Sequence, residues 1–283
     1  MEPNSTTWLV INSASGSHDP EMVETITGAL ADGGYPAKRV VDCKQDELPD
    51  AAMAEREGVT HVVLHGGDGT LNAAITRLEG WDGAILPLPG GTSNLLCHRL
   101  FPDCDTLAIL RSFTSGELVR RREFCLRGEN HVALCEILAG PGALWADVRE
   151  EMREYNIGQT LAKAIDASGI GDTGPNVVLA DPQRGKDEGY GGLRLIVEAH
   201  TMRIEGYGPD GLSEFVEQGI AILKRNFREG PHDDLGVAEK AVLRSAENQP
   251  IPLMVDGERH TGGAEITFLL APLQVDLLGP VNG

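Results

Sequence analysis

No stretch of the chain approaches the roughly 18 uncharged apolar residues that a membrane-crossing helix requires. Met1 to Thr7 is polar, with no basic cluster ahead of an apolar run, so no secretory leader is expected. Cys-x-x-Cys pairs are missing, and the five cysteines (Cys43, Cys97, Cys104, Cys125, Cys135) are odd in number, which reads as reduced thiols of a cytoplasmic protein. Basic residues are scarce. Against 43 Asp and Glu there are 24 Lys and Arg, a formal net charge of −19. Nucleic-acid binding works through clustered Lys and Arg that release counterions, so that class of partner is excluded. Strong electrostatic adhesion to an anionic membrane is disfavoured for the same reason, and the acidic balance reads first as a source of solubility. There is no internal repeat, no long low-complexity tract, and no Gly-x-Gly-x-x-Gly after the first strand, so a dinucleotide-binding dehydrogenase is a distant reading.

What is present suits two packed domains. The 283 residues are 41% hydrophobic and 24% charged, enough apolar surface for ordinary cores. The first hundred residues alternate strand and helix signals. Trp8 to Ile11 reads as a strand, followed by the polar loop Asn12-Ser13-Ala14-Ser15-Gly16. Asp19-Pro20 is a helix start, a capping side chain followed by proline at the first helical position, and Gly33-Gly34 ends that helix. Strands are expected again at Arg39 to Val41, His61 to Leu64 and Ala84 to Leu88, with helices at Ala51 to Glu57 and Thr70 to Leu78. Alternation of this kind predicts a parallel sheet covered by helices, with ligands beyond the carboxyl ends of its strands. Two glycine clusters, Gly66 to Gly69 and Pro89-Gly90-Gly91, fall at such ends.

After about Ser115 the rhythm changes to short strands: Val119 to Leu126, His131 to Leu138, Asn176 to Leu179, Leu193 to Ala199, Ala241 to Leu243, Leu253 to Val255, Ile266 to Leu270 and Val275 to Leu278. Helices are expected from Ala143 to Ala167 and from Leu212 to Leu223, and a mobile loop from Gly185 to Gly192. The predicted architecture is an α/β domain over residues 1–118 and a β-sandwich-like domain with inserted helices over 119–283, the last strand being free to return to the first domain.

The most informative segment is His65-Gly66-Gly67-Asp68-Gly69-Thr70-Leu71-Asn72. Glycines there let the backbone approach a bulky anion, and the helix that follows adds the positive end of its dipole. Asp68 makes sense beside phosphate if a divalent cation lies between them, or if it orients an attacking hydroxyl. The plain alternative is a glycine-rich turn with a solvated aspartate. Agreement with the second loop, Pro87-Leu88-Pro89-Gly90-Gly91-Thr92-Ser93-Asn94, favours the functional reading, although Thr92 or Ser93 could equally cap a helix. His65 reads as structural, and Trp145, with the apolar stripe of its helix, as core rather than a lipid groove.

The run GGDGTLN followed by LPLPGGTSN closely resembles the diacylglycerol kinase catalytic domain family, which includes bacterial lipid kinases and sphingosine and ceramide kinases. Asn12 to Gly16 resembles that family's first loop, with Ser13 in place of proline, and Val255-Asp256-Gly257-Glu258 resembles its DGE element. The resemblance implies an ATP-dependent lipid kinase, with ATP and Mg²⁺ as cofactors and a lipid drawn from a membrane as substrate. By position it implies that Gly66, Gly67, Asp68, Gly69, Thr70, Leu71, Asn72, Gly91, Thr92 and Asn94 contact the nucleotide. Asp68 and Glu258 would be catalytic, Glu258 as proton acceptor for the lipid hydroxyl, and the two would face each other across an interdomain cleft. Read alone, Asp256-Gly257 is a hairpin turn. Some bacterial members hold a structural Mg²⁺ at a DGL sequence, which here implies Asp210 with the carbonyls of Tyr207 and Leu212; a plain turn is at least as good a reading.

The chain departs from the family after the second loop. Where many members carry N-D-x-A-R, the run here is Asn94-Leu95-Leu96-Cys97-His98-Arg99, and His98 and Arg99 read as a solvated helix face. Two other readings therefore stand beside the lipid kinase: an NAD kinase, which shares GGDGT but also carries downstream features not found here, and a non-catalytic nucleotide or lipid sensor on the same fold.

Overall fold

The structure is a computed structural model that describes residues 5–144, 174–208 and 232–281. The chain forms two units, residues 1–125 with 272–283, and residues 126–271.

The first unit begins with β1 (Thr7–Ile11), α1 (Pro20–Asp32), β2 (Ala37–Asp42), α2 (Ala51–Arg56), β3 (His61–Gly66), α3 (Asp68–Arg77) and β4 (Ala84–Pro89). It continues with α4 (Leu95–Leu100), α5 (Thr106–Thr114) and β5 (Leu118–Arg121), and closes with the chain's final strand, Asp276–Pro280. The helix starts follow local chemistry. Asp19 accepts from the Glu21 amide ahead of Pro20, Asp50 from the Met53 amide, and Asp105 from the Ala108 amide. The sheet order is β2-β1-β3-β4-final strand-β5; pairing is parallel from β2 to the final strand, and antiparallel to β5. Strands β1, β3 and β4 bury nearly every side chain, including Leu9, Val10, Val62, Val63, Leu64, Ile85, Leu86 and Leu88. Such continuous apolar runs are what a parallel sheet covered on both faces demands. The chain runs from β1 outward to β2 and then crosses back to β3 on the other side of β1. The order therefore reverses between β1 and β3, where doubly wound sheets open a crevice for ligands.

The second unit is built from antiparallel strands. They are β6 (Phe124–Arg127), β7 (Val132–Ala133), β8 (Glu136–Ala139), β9 (Val177–Asp181), β10 (Gly192–Glu198), β11 (Thr201–Tyr207) and β12 (Asp233–Ala238). There follow β13 (Lys240–Ser245), β14 (Pro252–Val255), β15 (Glu258–Thr261) and β16 (Glu265–Pro272), after which the final strand of the chain is β17. One sheet has the order β12-β11-β10-β8-β14-β15, the other β7-β6-β16-β13-β9. The expected helices from Ala143 to Ala167 and from Leu212 to Leu223, with Trp145, lie outside the described residues, apart from a 3₁₀ turn at Pro141–Leu144.

Several elements differ from the sequence expectation for physical reasons. The single strand expected from Val119 to Leu126 is two, β5 and β6, because the chain changes sheets at Arg122-Glu123; there the Glu123 carbonyl accepts from the Leu273 amide. The strand expected from His131 to Leu138 breaks between β7 and β8, where the amides of Leu134 and Cys135 bond the Asp256 carboxylate instead of a neighbouring strand. The stretch expected as a loop from Gly185 to Gly192 folds around Tyr190, which is fully buried, bridges Val177 and donates to Asp233 at 2.9 Å.

Leu64, completely buried in β3, tests whether this sheet is the stability centre of the first unit. Leu64→Ala should cost about 2–5 kcal/mol, read as a lowered urea midpoint by tryptophan fluorescence. An unchanged midpoint would contradict the assignment.

Candidate functional site

Register places the ends of three adjacent strands side by side: Ile11 opposite His65, His65 opposite Leu88, and Gly66 opposite Pro89. The loops that follow β1, β3 and β4 therefore emerge together, and they are tied to one another. The Asn12 carboxamide donates to the Thr70 hydroxyl at 3.0 Å, and the Ser17 hydroxyl donates to the Gly90 carbonyl at 2.7 Å. The Gly90 amide donates to the Gly66 carbonyl at 3.1 Å.

The loops after β3 and β4, called the third and fourth loops from their strands, meet backbone to backbone. A Cβ on Gly91 would lie 2.5 Å from the Gly67 Cα, and one on Gly90 would lie 2.8 Å from the Gly66 nitrogen and from the His65 ring. No side chain fits either place, which explains why the loop after β4 carries glycine at both positions. Asn94 then closes the fourth loop into a ring. It adopts the left-handed conformation (φ 49°, ψ 43°), accepts from the Gly91 amide at 2.8 Å and donates back to the Gly91 carbonyl at 2.9 Å. Asparagine tolerates that backbone better than other residues with a side chain. Thr92 and Ser93 are left exposed at the tip.

Helix α3 starts at the crevice two residues earlier than its expected Thr70 start, with Asp68 in its first turn and Gly67 as cap residue. Gly67, as cap residue, has no side chain to bond the first-turn amides. The first-turn amides of a helix have no acceptor within the helix, so this end, at the reversal point of the sheet, can receive an anion. Asp68 is half-buried, and one of its oxygens faces the Leu96 amide at 3.4 Å. Burial, with the Asp68 carboxylate adding to it, pushes the neighbouring Cys97 thiol well above its ordinary range, which leaves it an inert core thiol. Leu71 and Asn72 continue α3, Leu71 inside the core and Asn72 half-buried. Arg99 does not lie on a solvated face. Its guanidinium pairs with Glu123 at 3.3 Å and donates to the Phe124 carbonyl, whereas His98 is exposed.

Sequence reasoning missed Asp42, at the end of β2. It accepts from the Ser13 amide at 3.0 Å, the Ser13 hydroxyl at 2.6 Å, the Lys44 amide at 3.1 Å and the Gln45 carboxamide at 3.1 Å. Burial works against the charge, but these donors outweigh it and hold the carboxyl down at about 2, against an ordinary 3.8. A proline at position 13 would have no amide to give, so Ser13 and Asp42 form a matched pair that fixes the first loop. A carboxylate just after the second strand was the available signal.

Glu258 stands in the second unit, exposed, as the first residue of β15. It follows a two-residue hairpin turn, Asp256 (φ 48°) and Gly257 (φ 89°), with Val255 paired to Glu258. Asp-Gly suits such a turn because both positions need positive φ. The Asp256 side chain is itself buried and accepts from the amides of Leu134, Cys135 and Glu136 at 2.6, 2.8 and 3.0 Å. Three amides compensate the buried charge and bolt the hairpin to the start of β8. Of the suggested metal ligands, Asp210 and Leu212 lie outside the described residues. Tyr207 is buried, its hydroxyl donates to Glu205 at 2.8 Å, and burial together with Glu205 pushes it up to about 12. Among the described residues no three His, Cys, Asp or Glu side chains gather to hold a metal, and no helix is long and apolar enough to cross a membrane.

With this geometry in place, the comparisons with known proteins are specific. Residues 6–121 match the family model of the diacylglycerol kinase catalytic domain. The resemblance carried by the two glycine loops therefore holds, and the match spans all three loops of the crevice. The chain is similar in fold to a diacylglycerol kinase from Bacillus anthracis str. Sterne, at a TM-score of 0.65 and 15% identity, covering 98% of both chains. Two structures of candidate diacylglycerol kinases from the same organism superpose similarly. Their TM-scores are 0.65 and 0.64, both at 14% identity, each covering 98% of this chain and 96% and 98% of theirs. No curated protein matches the sequence.

Two predictions follow from the loop geometry. Gly91→Ala should push the loops after β3 and β4 apart without unfolding the sheet; faster amide exchange at residues 66–72 and 90–94 beside an unchanged circular dichroism spectrum would show it. Asp42, with its folded value depressed, contributes stability that is fully present above about pH 3.8 and lost as the pH falls towards about 2. Ser13→Ala should raise the Asp42 midpoint in a carboxyl NMR titration, and an unmoved midpoint would mean that Ser13 does not hold it.

Proposed function

We propose that the chain is an ATP-dependent phosphotransferase whose acceptor is the hydroxyl of a diacylglycerol-like lipid, working as a cytoplasmic protein that meets its membrane peripherally. The observation that carries the proposal is the glycine-capped start of α3, with Asp68 in its first turn, set among three interlocked loops at the reversal point of the sheet. The match of residues 6–121 to a kinase family supports it.

The glycine cradle suits a nucleotide's phosphates, because no side chain fits at Gly90 or Gly91 and the first-turn amides of the helix that starts there have no acceptor within it. Gly66 to Asn72 would contact the nucleotide together with Gly91, Thr92 and Asn94, Thr92 offering an exposed hydroxyl. In Asp68 the site has one carboxylate for Mg²⁺, and that ion usually takes one or two carboxylates plus substrate phosphates. When bound, the ion neutralises charge on the transferring phosphoryl group.

Glu258 acts as the base. It takes the proton of the lipid hydroxyl while that oxygen bonds to the γ-phosphorus, the bond to the bridging oxygen breaks, and ADP departs. Its exposure leaves it open to a substrate, and the Asp256 clamp fixes the backbone that carries it. A second-domain Mg²⁺ at Asp210 with the carbonyls of Tyr207 and Leu212 belongs to the same proposal.

The test is transfer of labelled γ-phosphate from Mg-ATP to diacylglycerol, monoacylglycerol, phosphatidylglycerol, sphingoid bases and NAD. Label is expected in a diacylglycerol-type lipid. Asp68→Asn should abolish transfer, and Glu258→Gln should lower kcat about 10²–10⁴-fold while ATP binding persists. Label in NAD alone would move the protein to the NAD kinases. Label in no acceptor, with ATP still bound, would mark a sensor.

A further inference from the structure

At the end of β3, His65 is 8% exposed, directly before the glycine cradle and between Ile11 and Leu88 of the flanking strands. Its Nδ1 is buried and has no hydrogen-bond partner among the described residues. The ring packs on the fourth loop. A Cβ on Gly90 would meet the His65 Cε1 at 2.8 Å and Nδ1 at 2.9 Å, so glycine at 90 and histidine at 65 are sterically matched. A proton on Nδ1 would be a buried donor without an acceptor, which folded proteins avoid more strictly than an idle lone pair. The proton therefore belongs on Nε2. The ring also stays neutral: burial pulls its proton affinity down, nearby His18 adds to this, and Asp19 opposes it only in part. His18 and Asp19 sit at the start of α1, one residue past Ser17, which itself bonds the Gly90 carbonyl. The result is a buried neutral imidazole, packed on Gly90 beside the loops that follow β1 and β3, that carries its proton on Nε2.

We propose that His65 is a phosphate-contacting residue of this site, donating its Nε2 proton to an oxygen of the nucleotide's phosphate chain; the assignment rests on the nucleotide reading above. It also explains why the fourth loop needs glycine at position 90 and not only at position 91.

The two amide substitutes for histidine separate contact from packing. In His65→Gln the side-chain N–H reaches the Nε2 place, whereas in His65→Asn it reaches only the Nδ1 place. Mg-ATP dissociation constants of the wild type, His65→Gln, His65→Asn and His65→Leu are measured by calorimetry, together with the melting temperature of each free protein. His65→Gln should bind close to wild type, and His65→Asn and His65→Leu about ten- to a hundredfold more weakly, as the loss of one hydrogen bond to a charged group implies. Wild-type affinity in His65→Leu, or equal weakening in all three variants, would overturn the contact. If His65→Leu does not fold, the contrast between Gln and Asn alone decides. A wild-type protein that binds no Mg-ATP would overturn the nucleotide reading itself. That failure is distinct from a wild type that binds alongside an indifferent His65.

Discussion

The crevice of the first unit depends on a contact of backbone on backbone, in which a Cβ on Gly90 would meet the Gly66 nitrogen at 2.8 Å and one on Gly91 the Gly67 Cα at 2.5 Å. Everything at the crevice depends on it. With the two loops in contact, the Gly90 amide reaches the Gly66 carbonyl, Ser17 reaches the Gly90 carbonyl, and the first turn of α3 comes within reach of Asn12. Asn94 maintains the loop shape from within by turning its carboxamide on Gly91. Parallel strands supply the foundation, since β1, β3 and β4 are buried almost residue for residue and carry their loops out at one level.

The second unit solves a different problem, that of holding an exposed carboxylate in place on the edge strand of a sheet. Its means is Asp256, a buried charge bonded to three successive amides of the chain entering β8. The cost of burying a charge is met by those bonds, and the same bonds interrupt the strand that would otherwise run through Leu134 and Cys135. Turn and clamp are therefore one device. The positive φ of Asp256 and Gly257 makes the hairpin, and the Asp256 side chain anchors it with Glu258 on its outer limb.

Much of this was legible in the sequence because the signals are local. Asp19-Pro20 and the glycine clusters mark helix starts and strand ends through backbone chemistry that neighbouring residues determine. The parallel sheet follows from buried apolar runs alternating with helices. What the sequence hid depends on partners far along the chain. Ser13 looks like a mere replacement for proline until Asp42, 29 residues away, is seen to use both its amide and its hydroxyl. Asp256 reads as a turn residue until its amides from residues 134 to 136 are found. Strands β11, β12 and β15 escaped notice because they are partly exposed and charged, with Arg203, Glu205, Asp233, Asp234 and Arg259 among their residues, so no apolar run announces them. His65 read as structural because its meaning lies in an unpartnered nitrogen, which only coordinates reveal.

The central claim is that three loops, spread over more than eighty residues of sequence, form one anion-binding cradle. Amide hydrogen exchange with and without Mg-ATP tests it most directly. The account predicts slowed exchange at residues 12–17, 66–72 and 90–94 together, with β1, β3 and β4 already protected in the free protein. Protection of only one of these loops, or protection elsewhere with all three unchanged, would contradict it.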